Sequence, residues 1–340
     1  MIRRALGQKR LWIGTLLGLV LLWLAFREIP LSDITEALRR ARLAYLALAL
    51  LSVLGTNLAK ALRWRLLFYP DHTRLRLDRV FGILMTGQMV NILGPGRFGE
   101  LVRAFLVGEL EGESKAFALS TVVVEKLIDL LALGVLLTGC VPWIMLPNWV
   151  DQPGVLFVAA ALVLLAVAAI LSSQRARIMA WVGTLLVRLP GERWRPLARQ
   201  LELALTGLSA LGSPSIVVQV LVWTAIAWIL AALTNALTFL ALGLALPWIA
   251  AWFVLLVIQV GIAAPSSPGK LGVFQYLCIL ALSVFDVERS VGLTYGFVLQ
   301  GIVFLPPIIW GAWFVGWQSL GLRRLTQLAT ETATSLGESH

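Results

Sequence analysis

The fold class this chain predicts is an all-α, polytopic membrane protein, with about six full transmembrane helices and two re-entrant helical hairpins in an inverted-topology repeat. Three observations predict it. The composition is 59% hydrophobic and only 14% charged, with a mean hydropathy of +0.87, more apolar than a soluble domain needs. The apolar residues fall in long runs, without the period-two alternation of a membrane β-barrel. And two short segments, Gly94-Pro95-Gly96-Arg97-Phe98-Gly99-Glu100 and Ser267-Pro268-Gly269-Lys270-Leu271-Gly272-Val273, repeat one pattern inside hydrophobic sequence. Each has Pro-Gly, then a basic residue, a large apolar residue and Gly. A Pro-Gly break leaves backbone N–H and C=O groups that lipid cannot satisfy, so it survives only inside protein or beside a watery cavity. Paired breaks in the two halves of a membrane protein point to a transport site.

In chain order, the N-terminus carries Arg3, Arg4, Lys9 and Arg10 before the apolar run Leu11 to Phe26. It resembles a signal peptide without a small-x-small cleavage site and is read as a retained first span. Full spans are expected at 11–26, 43–62, 116–143, 155–171, 215–243 and 290–318 by length. The segments 80–93, 98–108, 248–264 and 271–285 are short and flank the two motifs, so 80–108 and 248–285 are read as hairpins that enter and leave on one side. The chain 1–340 is then a single membrane domain: repeat half 43–171, a basic cytoplasmic loop 172–214, and repeat half 215–318. Shifting 43–62 and 116–143 by the motif-to-motif spacing lands on the later spans, which supports the repeat. In the basic loop, 176–189 is amphipathic and fits an interfacial helix.

Loop charges orient the chain. Lys60, Arg63, Arg65, Arg74, Arg76 and Arg79 are assigned to one connection, and six arginines from Arg175 to Arg199 to another; Pro147 to Gly154 holds Asp151 and no base. The positive-inside rule puts both basic connections in the cytoplasm, together with both termini, in an inner (cytoplasmic) membrane. The arginine-bearing loop 27–42 fits this topology poorly. The net charge of +10 follows from that rule and from attraction to anionic headgroups, and no nucleic-acid partner is expected.

Arg97 and Lys270 carry the chemistry first. Each is expected to open the outgoing half-helix of its hairpin, where free N–H groups and the helix dipole attract anions. Intramembrane charge is costly and usually functional. Gly96 and Gly269 let backbones approach or bend, and with Arg103 and Asn91 they complete a candidate substrate-binding set. Glu100, Glu125, Lys126 and Asp129 form a candidate charge network. Glu125 and Asp129 share a helix face, and the expected pairs are Glu100 with Arg103, and Glu125 or Asp129 with Arg97 or Arg103. Two roles stay open: a static network that holds the hairpin, and a proton or counter-ion relay. With His72 and His340 the only histidines and Cys140 and Cys278 the only cysteines, metal and histidine chemistry is not expected, no nucleotide or nucleophile motif is present, and neither an enzyme nor a cofactor is expected.

The runs NILGPGRFGELVRAFLVG, EKLIDLL and PSSPGKLGVFQ resemble the lysylphosphatidylglycerol synthase transmembrane region, also described as flippase-like integral membrane proteins, over roughly residues 10–320. The resemblance implies a module that moves lipids between leaflets. The family's second motif commonly reads Pro-Gly-Gly with a Glu following; here Lys270 holds the second-glycine position and Gln275 that of the acid. An anionic phosphate-bearing lipid, a phospholipid or a polyprenyl-phosphate-linked one, is therefore expected rather than a cationic lysyl headgroup. No soluble aminoacyl-transferase domain accompanies the module, so synthase activity is not expected. The alternative is a non-transporting membrane subunit that docks a separate lipid-modifying enzyme through the loop 172–214. The sequence leaves the oligomeric state open.

Overall fold

The computed structural model describes residues 41–94, 98–140, 209–262 and 268–318, with the single positions 163 and 174. The expected spans 11–26 and 155–171, the loop 27–42 up to residue 40, nearly all of the basic loop 172–214 and the tail lie outside these residues.

Among the described residues every regular element is helical: α1 Leu43–Leu66, α2 Leu77–Leu93, α3 Gly99–Glu111, α4 Lys115–Cys140, α5 Pro214–Ala241, α6 Trp248–Gly261, α7 Val273–Ser283 and α8 Arg289–Trp317, with short 3-10 turns at His72–Arg74, Ser209–Gly212 and Pro268–Lys270. Local chemistry sets the ends. α2 stops at Gly94 because Pro95 follows and disfavours helical backbone before it. α3 runs out at Gly112, whose φ of 74° is the left-handed C-terminal signal. α5 opens on Pro214, which has no N–H to leave unpaired in a first turn.

α1, α5 and α8, with 24, 28 and 29 residues, are long and apolar enough to cross a membrane. α4 has 26 residues, but Glu125, Lys126 and Asp129 interrupt its apolar run. α2, α3, α6 and α7 have 17, 13, 14 and 11 residues, about 26, 20, 21 and 17 Å of helix. Each is shorter than a hydrocarbon core of about 30 Å.

α1 packs along α5, and α2 along α8. α2 pairs with α3 and α6 with α7; α3 then packs on α4 and α7 on α8; α4 also meets α6. Exchanging α1 with α5, α2 with α6, α3 with α7 and α4 with α8 turns this set of helix pairs into itself. Each short pair has its own apolar core. Trp64, Phe68, Ile83, Leu84, Leu106 and Val124 surround the first; Val254, Phe274, Leu282 and Tyr295 surround the second.

One crossing admits no side chain. A Cβ on Gly99 would strike the carbonyl of Gly87, and one on Gly87 would lie 2.5 Å from the Arg103 Cγ. Backbone contact between α2 and α3 is what lets both arms of the first pair sit side by side.

The loop assignment of several bases needs correcting. Lys60, Arg63 and Arg65 are on α1 and Arg79 is on α2, not in the connection between them. The apolar run continues past Lys60 through Ala61, Leu62 and Trp64, and tertiary partners for the charges let the helix carry it to Leu66.

Candidate functional site

The charged groups that sequence places on α3 and α4 converge, and α1 and α5 join them. Arg103 on α3 donates from Nη1 and Nη2 to the two carboxylate oxygens of Glu125 on α4, at 3.2 and 2.6 Å. This is the bidentate geometry that a guanidinium fork favours. Arg63, from the last two turns of α1, donates from Nη1 to Asp129 at 2.5 Å and to the Thr224 hydroxyl of α5 at 3.3 Å. Its Nη2 is 3.5 Å from Glu125. Arg63, Glu125 and Arg103 are 0, 3 and 4% exposed. The Arg103 guanidinium also lies over the Trp64 ring, 3.9 Å from its centroid, a cation–π contact strengthened by exclusion of water. The Trp64 indole N–H donates to Thr121, fixing the ring.

A second branch reaches the turn of the first helix pair. Glu100 is 3.5 Å from the Lys126 ammonium and accepts from the Asn91 amide at 3.2 Å. The Asn91 carbonyl oxygen accepts the Gly99 N–H at 2.7 Å. Asn91, on the last turn of α2, thereby caps the first turn of α3 and takes up a donor freed by the break. Three buried guanidinium positions, Arg63 Nε, Arg63 Nη2 and Arg103 Nε, have no hydrogen-bond partner among the described residues. Glu125 lies ten residues into α4, about 15 Å along its axis, half the thickness of a hydrocarbon core if Lys115 sits at the membrane surface.

The turn of the second pair is held by neutral groups. Gln275, fully buried, accepts the Gly272 N–H at 2.8 Å and donates to Gln300 at 2.6 Å. Gln300 donates to the Gly269 carbonyl at 2.8 Å. Nearby, the Tyr295 hydroxyl donates to Asn235 at 2.6 Å. The Pro268–Lys270 turn packs against α2, so the break of the second pair abuts an arm of the first.

Arg97 and Gly96 lie outside the described residues. Lys270 does not open α7: it sits in the 3-10 turn with φ 54°, three residues ahead of Val273. Gly269 and Gly272 flank it at φ 70° and 81°. Three left-handed residues in four cannot join a right-handed helix. Glu100 pairs with Lys126 and Asn91 rather than with Arg103, because Arg103 points to α4 and engages Glu125. Asp129 pairs with Arg63 rather than with Arg103. Arg63, Thr224 and Trp64 were missed by the sequence reading. The available signal was a polar stripe at helical spacing on α1, Thr56, Lys60 and Arg63. No cluster of metal-ligating side chains occurs among the described residues.

A comparison with curated proteins gave no match. The family model described as the lysylphosphatidylglycerol synthase TM region matches residues 11–311, which takes in both short helix pairs, the whole ion network and all of α8 except its last turns. The chain belongs to that family, and with its apolar helices this makes it a multi-pass membrane protein.

Proposed function

We propose that this protein moves an anionic, phosphate-bearing lipid between the leaflets of the cytoplasmic membrane, passively or coupled to an ion, and that it is a transporter rather than an enzyme. In this reading α2–α3 and α6–α7 are re-entrant hairpins that enter from opposite faces within an inverted repeat, and six spans, two of them outside the described residues, surround them. The four helices too short to cross, their pairing, and the self-consistent exchange of helix contacts support that arrangement. Both termini are cytoplasmic on the loop-charge argument.

One observation carries the functional reading: a buried ion network at the depth of the first hairpin turn ties its outgoing arm to α1, α4 and α5. Ionisable groups at such a depth cost several kcal/mol unless paired and mark substrate or ion pathways. Here the bases Arg63, Arg103 and Lys126 balance Glu100, Glu125 and Asp129, while unpartnered guanidinium donors remain. Arg97 and Lys270, which follow Pro-Gly in the two motifs, add positive charge of the kind that binds a phosphate. Acyl chains would stay in the bilayer while the headgroup passes the two turns.

The test is headgroup accessibility in proteoliposomes, with labelled phosphatidylglycerol and a labelled polyprenyl phosphate run in parallel. Wild type is expected to move one of them, and Arg97→Ala with Lys270→Ala to abolish the movement while leaving the protein folded. Equal movement by the folded variant would sink the assignment of these two bases, and no movement of either lipid by wild type would sink the transport reading for both lipids.

A further inference from the structure

Away from the hairpin turns, α1, α2 and α8 enclose a groove of about 790 Å³. Its apolar walls are Leu54, Leu58, Phe81 and the α8 tryptophans Trp310, Trp313 and Trp317. The tryptophans recur at three- and four-residue spacing and stack edge to face, with centroids 5.5 and 4.8 Å apart, and Phe81 continues the ladder at 5.2 Å from Trp310. They remain 41, 51 and 69% exposed. One end of the groove is polar, lined by Arg76, Asp78, Arg79 and Gln318.

We infer that this groove binds a single anionic glycerophospholipid, with an acyl chain along the tryptophan ladder and the phosphate at Arg76 and Arg79. Three features argue for that occupant. A concave apolar surface on the outside of membrane helices is filled by hydrocarbon, since water has no place there. The volume lies within the usual range of small-molecule sites. The polarity runs in one direction, from aromatic and aliphatic walls to two guanidinium groups, which is the pattern of an amphiphile. Arg76 engages Asp78 through Nε and Nη2 and Arg79 engages Leu110 and Glu111 through Nη1, so each retains donors for a phosphate. An aromatic belt that merely anchors α8 would need neither the concavity nor the basic end. The site is separate from the hairpin turns, and it stands whether or not the protein transports lipid.

Lipid binding to the purified full chain, followed by native mass spectrometry with phosphatidylglycerol and phosphatidylcholine in competition, tests the inference. Wild type is expected to retain one lipid and to favour phosphatidylglycerol. Arg76→Gln lowers that preference about fivefold, the effect of one surface base near an anionic headgroup. Asp78→Asn, which frees Arg76, raises it by a similar factor. Opposite shifts from two adjacent exposed side chains cannot come from misfolding. Leu58→Trp narrows the groove opposite the tryptophan ladder and is expected to lower retention of both lipids. Unchanged preference in both charge variants, retention undiminished by Leu58→Trp, or a dimer that Leu58→Trp dissociates in place of a lipid adduct, would overturn the proposal.

Discussion

Arg63 and Arg103 show what burial does to a charge. Both guanidinium groups are nearly inaccessible and are matched to carboxylates at hydrogen-bond distance. Breaking such a pair costs about 3–5 kcal/mol because the survivor is left charged and dry. Arg103→Leu is therefore expected to lower the unfolding midpoint in mild detergent sharply, and Arg103→Leu with Glu125→Leu to recover part of the loss, since no carboxylate is then orphaned there. Equal losses in the single and double variants would show that the pair does not act as a unit. Lys270 illustrates the opposite tension. Its left-handed backbone costs a non-glycine residue about 1–2 kcal/mol. Lys270→Gly should thus raise thermal stability while reducing lipid movement, and a variant that loses both would argue that the lysine is structural. Outside the membrane, Glu113 in the α3–α4 turn has its carboxyl raised above the usual carboxylate range, first by partial burial and then by the charge of Asp71. A raised carboxyl means that the folded state holds its proton to higher pH than the unfolded chain. This residue's contribution is then least favourable once pH exceeds the folded value, and the penalty fades as pH falls through it. Glu113→Gln should stabilise the protein at neutral pH and make no difference in acid, as thermal melts at several pH values would show.

At the scale of elements, the first hairpin depends on the Gly87–Gly99 crossing. A methyl at Gly99 would overlap the Gly87 carbonyl, and neither backbone can yield without separating α2 from α3. Gly99→Ala is expected to abolish recovery of monodisperse protein in size-exclusion chromatography. Gly139→Ala, with open space around its Cβ position, should be silent and serves as the control. The two hairpins also differ in how their turns are tied down. The first is tied by ions through Asn91, Glu100 and Arg103; the second by amides through Gln275 and Gln300. A neutral amide chain responds to neither pH nor ionic strength, whereas a network of carboxylates and bases responds to a bound anion. The buried ion network of the first pair therefore gives it a response to charge that the amide chain of the second lacks.

For the whole molecule, re-entry makes a sharp topological prediction. Single cysteines at Asp71 and Gly112, on either side of the first hairpin, should both react with a membrane-impermeant reagent from the cytoplasmic side. Those at Gly243 and Asp286, on either side of the second, should react only from outside, in a background lacking Cys140 and Cys278. Labelling of the two ends of one pair from opposite sides would mean that the pair crosses the bilayer. Much of this architecture was legible in the sequence. The expected segments 43–62, 80–93, 98–108, 215–243, 248–264, 271–285 and 290–318 coincide with helices to within a few residues at most ends, because a bilayer forces each segment to satisfy its own backbone and to show its apolar length locally. That Glu125 finds a base on another helix was legible too, since a lone charge inside an apolar run is too costly, but Arg103 was only one of the bases open to it and was also expected to pair with Glu100. The rest was not. Arg63 stands near the end of an apolar run, where a base reads as a cytoplasmic anchor, and Lys270 follows Pro-Gly, where a helix start is the ordinary reading. The sequence by itself determined the membrane class, the helices and the two breaks. Only the tertiary structure decided that Arg63 turns inward to Asp129 and Glu125, that Asn91 caps α3, and that the second break rests on α2. Helix formation is set by neighbours along the chain, whereas the partner of a buried charge is set by whichever helix packs beside it.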